Sequence, residues 1–182
     1  MVATLKDSAD RMNALLARLS QHNGARGEPL QSIDVAALVD RIAGTRRAQH
    51  PIAARHAGAT FARGHAARLE QLLGHLVQNA IEASDDDTAV LLSVESLGDR
   101  IAIDVIDKGC GMTPGFVRDQ LFRPFVSSKP AGFGIGAFEA LQLVQAMGGT
   151  LDVVSREGEG SRFRVILPAA PADSRGAMEI AA

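Results

Sequence analysis

The sequence contains no tryptophan and no tyrosine, so its seven phenylalanines must supply all large aromatic packing. Leu, Ile, Val and Ala therefore fill most of any core, and 46% apolar residues are enough for a real one. The single cysteine, Cys110, excludes an internal disulfide and fits a reducing compartment. Set between two turn glycines, it reads as a small space-filler. No Lys/Arg-rich block relieves the net charge of −2, so nucleic acid is not expected as a partner. No apolar run approaches the ~20 residues a membrane span requires, and no signal peptide is visible. The expected location is cytoplasmic, with any membrane anchor elsewhere in a longer protein. A length of 182 residues suits one domain with appendages.

Leu5, Ala9, Met12, Leu16 and Leu19 repeat at the four-and-three spacing of a coiled-coil seam, which predicts a helix over residues 1–22. Such a one-striped helix needs a partner. Asn23-Gly24 and Gly27-Glu28-Pro29 punctuate a linker over 23–31. Asp34 then reads as the N-cap of a helix running to about Arg47. Ile52 to Phe61 is a weaker segment with room for short strands. The strongest helix runs from Ala66 to Ala83, with Leu69, Leu72, Leu73, Leu76 and Ala80 as its inward stripe. Strands follow at 89–94 and 100–106, a long irregular segment at 108–135, a helix at 137–147, and strands at 150–155 and 162–167. Residues 169–182, rich in alanine, read as a disordered tail. Helices on one face of a mostly antiparallel, mixed sheet make a two-layer α+β sandwich over residues 32–168. Within it, a lid at about 113–135 has Phe116, Phe122, Phe125 and Phe133 as anchors and glycines as hinges.

Four stretches carry chemistry. Strand alternation puts Asp107 on the same face as Ile101, Ile103 and Val105, which aims an acid at the core. Such a group is costly unless something hydrogen-bonds to it. Gly109 and Gly111 follow at once, bare backbone beside which a ligand with N–H donors fits. On the strong helix His75, Asn79 and Glu82 form one polar stripe beside the leucines. Asn79 is an oxygen donor of a kind hard cations accept, though a lone helical Asn is more often surface decoration. Leu121 to Pro130 sets two phenylalanines beside Ser127, Ser128 and Lys129. Gly132-Phe133-Gly134-Ile135-Gly136 opens a helix, whose free N–H groups suit an anion. Each stretch alone is a weak signal.

In this order the four resemble the N box, first glycine box, F box and second glycine box of the ATP-binding domain of bacterial sensor histidine kinases. That domain belongs to the GHKL superfamily and has the Bergerat fold. Leu76 to Ala83, Asp107 to Gly111, Phe122 to Lys129 and Gly132 to Gly136 are the matching segments. Residues 1–22 resemble the second helix of the dimerisation hairpin. The strings around His75–Asn79 and Gly132–Glu139 are most similar to the kinases of exosortase/PEP-CTERM exopolysaccharide systems. The resemblance implies ATP and Mg²⁺ as cofactors. It implies that Asp107 accepts from the adenine amino group and that Gly109, Gly111 and Met112 close over the base. It gives Asn79 the metal, and Gly132, Gly134 and Gly136 the phosphate chain, with Lys129 neutralising it. Implied partners are a dimerisation hairpin and sensor region of the same protein, a second copy in a homodimer, and a response regulator.

Two departures from the pattern matter. His75 stands where many members have Asn, and Glu82 where many have Lys. His75 and Glu82 are candidate contacts to a phosphate or a Mg²⁺-bound water, against the alternative of a packed or solvated histidine. None of His22, His50, His56, His65 and His75 has the sequence context of a phosphoacceptor. The phosphorylated histidine is thus expected outside this sequence, which reads as the C-terminal part of a longer kinase. An anti-sigma-factor serine kinase on the same fold, or a non-catalytic nucleotide-binding module, are the alternatives.

Overall fold

The computed structural model describes residues 29–57, 60–126 and 134–171. The expected 1–22 helix, the middle of the lid and residues 172–182 lie outside them. Along the described chain run β1 (Gln31–Asp34), α1 (Val35–Arg46), β2 (Ile52–Arg55), β3 (Phe61–Gly64) and α2 (Ala66–Ala83). After these come β4 (Val90–Ser96), β5 (Arg100–Asp107), α3 (Pro114–Asp119), α4 (Gly136–Ala146), β6 (Thr150–Arg156) and β7 (Gly160–Pro168).

Five strands form one sheet in the order β2-β4-β5-β7-β6, with β2 parallel to β4 and the other pairs antiparallel. Strands β1 and β3 pair antiparallel in a separate ribbon. Alternation decides which face is the core. Val90, Leu92, Ile101, Ile103, Val105, Phe163 and Val165 are buried in one cluster with Leu69, Leu72, Leu73 and Leu76 of α2 and Leu143 of α4. The opposite face carries the cross-strand row Ser93, Asp104, Arg164, Asp152. Asp104 lies buried beneath Arg164, whose Nε and Nη2 donate to its two carboxylate oxygens at 2.8 and 2.7 Å. This fork-on-fork pairing satisfies an acid that alternation would otherwise leave on open sheet. It also raises the pKa of Arg164 above the ordinary arginine value.

Asp34 caps α1 as its position suggests, its Oδ1 accepting from the Ala37 amide at 3.1 Å. Asp34→Ala is expected to lower stability by about 1 kcal/mol, measured by urea unfolding, because that amide loses its acceptor.

Three features differ from the sequence reading. Strand β1 stands where linker meets helix; of its four residues only Ile33 is buried, too little to show a period. Inside the segment expected to be irregular, α3 forms a short helix with Pro114 in its first turn. Thr113 Oγ1 accepts from the Phe116 amide at 3.1 Å. The expected disordered tail starts too early at residue 169. The Ala169 amide donates to Asp99 O in the β4–β5 turn at 2.8 Å and the Ala170 amide to Phe61 O of β3 at 2.9 Å, tying the end of β7 to both.

Candidate functional site

Asp107 ends β5 on the core side and is 4% exposed. Its Oδ1 accepts from the amide of Gly109 at 2.9 Å and from the amide of Ser161 at 3.2 Å. Two backbone donors thus hold the carboxylate in one orientation, which offsets its burial. The loop after it is wedged between two other segments. On one side the Cys110 amide donates to Ala83 O at the end of α2, at 3.1 Å. A Cβ on Gly109 would stand 2.0 Å from that same oxygen, so only glycine fits. On the other side lies the β6–β7 turn. Gly158 N donates to Cys110 O at 2.8 Å. Gly111 has φ +63°, and a Cβ there would lie 1.8 Å from Arg156 O. Met112 N donates to Ser155 Oγ at 2.8 Å, and Ser155 Oγ donates on to Gly160 O at 3.0 Å.

The second end of the site is built by α2 and α4. Gly136 is the first residue of α4, and a Cβ on it would stand 3.5 Å from Asn79 Nδ2. Ile135 at the N-cap has no side-chain oxygen to accept the first-turn amides. Among the described residues no side chain caps this helix start, which lies beside a carboxamide; such a pair suits an anion and its counter-ion. Gly134, at φ +66°, packs its Cα against Val126 O, and its own carbonyl accepts from Phe125 N at 2.9 Å. Phe125 itself has φ +66° and is 61% exposed, so it does not anchor the lid as expected. Phe116 and Phe122 do pack against the core.

His75 and Glu82 flank Asn79 on the same stripe of α2. Glu82 Oε1 accepts from Gln78 Nε2 at 2.9 Å, and Gln78 Oε1 accepts in turn from Arg46. His75 Nδ1 stands 3.5 Å from Glu139 Oε2 on α4. The structure thus groups Asp107, Gly109, Gly111 and Met112 at one end of the site, and His75, Asn79, Gly134 and Gly136 at the other. Lys129 and Gly132 lie outside the described residues. Ser155, Ser161 and Glu139 were not singled out by sequence reasoning. Ser155 and Ser161 flank the Glu157–Gly160 turn on the inward face, and that placement was the only available signal.

The fold sets the class. Over 78% of this chain and 99% of that one, it superposes on the mycobacterial sensor histidine kinase MprB with TM-score 0.70 at 21% identity. Over 94% of this chain and 38% of that one, it superposes on full-length ShkA in complex with AMPPNP, with TM-score 0.75 at 26% identity. A profile of the family described as histidine kinase-, DNA gyrase B- and HSP90-like ATPase matches residues 64–171, and the chain belongs to this family. Its ATP-binding domain is the one built here. Among curated relatives, the C4-dicarboxylate transport sensor protein DctB of Rhizobium meliloti (strain 1021) is 41% identical over 106 residues, 57% of this chain. The sensor histidine kinase ZraS of Escherichia coli (strain K12) is 27% identical over 175 residues, 92% of this chain. The chain spans 17% of the first relative's length and 37% of the second's. Among the described residues no helix is long and apolar enough to cross a membrane.

Proposed function

We propose that the chain is the catalytic, ATP-binding portion of a two-component sensor histidine kinase. It binds Mg·ATP and presents the γ-phosphoryl group to a histidine on a dimerisation hairpin, from which it passes to an aspartate of a response regulator. In the first step the histidine nitrogen bonds to the γ-phosphorus as the bond to the β,γ-bridging oxygen breaks, and ADP leaves. The observation that carries this reading is the pairing of Asn79 with the start of α4, in a domain that also buries Asp107 at the end of β5.

In this reading Asp107 accepts from the adenine amino group, and Met112, tied to Ser155, borders the base. Asn79 offers Mg²⁺ its amide oxygen, and Mg²⁺ when bound neutralises phosphate charge. A single protein ligand is enough for this cation, which keeps waters and takes phosphate oxygens. The Gly136, Ala137 and Phe138 amides have no intrahelical acceptor and receive phosphate oxygens. Lys129 adds a positive charge from the lid at 113–135. The chemistry this demands of the domain is positioning and charge neutralisation. The 1–22 helix belongs to the hairpin, through which two copies pair. The domain works in the cytoplasm, and the longer protein carries the sensor region and any inner-membrane anchor.

Calorimetric titration with Mg·ATP, followed by incubation with a supplied dimerisation hairpin, tests this. Binding and an acid-labile phosphohistidine on the hairpin are expected. Asn79→Ala is expected to erase the gain in ATP affinity that Mg²⁺ gives. An acid-stable phosphoserine on a partner, or no nucleotide binding, overturns the reading.

A further inference from the structure

Glu139 is a buried acid to which the nucleotide reading gives no work. It sits in the first turn of α4 and is 4% exposed. Gln71 Nε2 donates to its Oε1 at 2.8 Å, and His75 Nδ1 stands 3.5 Å from its Oε2. Gln71, His75 and Asn79 follow one another at four-residue steps along α2, so they share a face. Gly136 and Glu139, three apart, share a face of α4. The two helices therefore meet in adjacent layers, Asn79 on Gly136 and the Gln71–His75 pair on Glu139. The second layer lies one turn, about 5–6 Å, from the first.

A carboxylate is an expensive way to fill space between two helices, and the dipole of a helix start offsets only part of its desolvation. This one stands 3.5 Å from an imidazole nitrogen, within ion-pair range but longer than an ordinary hydrogen bond. The Nδ1 atom of His75 is buried, yet its side chain is 27% exposed. The exposure of this side chain therefore lies away from Nδ1, and Nε2 is its other polar atom. A carboxylate behind one ring nitrogen sets the orientation of the other.

We propose that Glu139 is a positioning residue for phosphate binding. Through Nδ1 it holds His75 so that Nε2–H donates to an oxygen of the β,γ-phosphates. A ring that donates at both nitrogens carries a positive charge, stabilised by Glu139 on one side and phosphate on the other. Gln71 keeps the carboxylate from turning away. The assignment rests on the ATP-binding reading above.

The test is calorimetric titration of the whole chain with Mg·ATP and, separately, with AMP, which has the same base and lacks the β,γ-phosphates. Glu139→Gln and His75→Ala are each expected to weaken ATP binding about tenfold and to leave AMP affinity within about twofold. Gln at 75 places a donor near the Nε2 position and Asn places one near Nδ1, so His75→Gln is expected to retain more ATP affinity than His75→Asn. The double variant Glu139→Gln/His75→Ala is expected to bind no more weakly than His75→Ala alone, because Glu139 acts through His75. A merely structural Glu139 would weaken both nucleotides in proportion. An ATP-to-AMP affinity ratio unchanged in Glu139→Gln, or additive losses in the double variant, overturns this assignment and leaves the ATP reading standing. A wild-type chain that binds neither nucleotide overturns both.

Discussion

Replacing Asp107 with Asn is expected to weaken Mg·ATP binding on the order of 100-fold while the domain stays folded. The two backbone amides of Gly109 and Ser161 both donate to Oδ1. An Asn with its amide oxygen at that position keeps both bonds, so local structure has little reason to change. Its NH₂ group then stands where the second carboxylate oxygen stood. The adenine amino group would meet a donor there, in a place too buried for water to intervene. The loss combines an unmade hydrogen bond to a charged acceptor with a stranded donor, together about 2–3 kcal/mol. Calorimetry gives the affinity, and a thermal melt without nucleotide shows that the fold is intact. Unchanged affinity would remove Asp107 from the base pocket.

Gly111→Ala is expected to destabilise the domain by about 3 kcal/mol and to abolish nucleotide binding with it. The left-handed backbone alone costs a non-glycine residue about 1–2 kcal/mol. The larger problem is space, since the added carbon would sit 1.8 Å from the Arg156 carbonyl oxygen. Either the loop or the β6–β7 turn must move, and the Gly158-to-Cys110 and Met112-to-Ser155 bonds cross that contact. Overpacking of this kind adds about 1–3 kcal/mol. Gly98 supplies the comparison: its φ is +75°, but nothing lies within 4 Å of where a Cβ would be. Gly98→Ala should therefore show the backbone strain alone. Urea unfolding of the two variants separates strain from crowding; equal losses would mean that the loop is not wedged as described.

Helix α2 was legible in sequence because five apolar residues, Leu69 to Ala80, keep one period over about three turns, which no strand or loop imitates. The two long hairpins were legible because apolar residues recur at every second position of β4, β5 and β7. Strand β1 was not, since one buried isoleucine in four residues carries no period. Helix α3 was hidden for a different reason. Thr113-Pro114 is a recognisable helix start, but six residues among so many glycines read as loop. The candidate residues Asp107 and Gly109 stood out in sequence because their pattern, an inward acid followed by glycines, is local. Ser161 reaches Asp107 across 54 positions, and Glu139 reaches His75 across 64. No local pattern announces such pairings; they exist only once the sheet has closed and α4 has settled on α2.

The turn between β6 and β7 has a consequence of its own. It is remote in sequence from the four candidate segments, yet it fixes the loop after β5 through Gly158, Ser155 and the Ser161 amide. A chain severed at Arg156 would retain all four signature segments yet lose the Ser161 amide from Asp107 and the Gly158 amide from Cys110. The shape of the loop after β5 therefore depends on the hairpin furthest along the described chain.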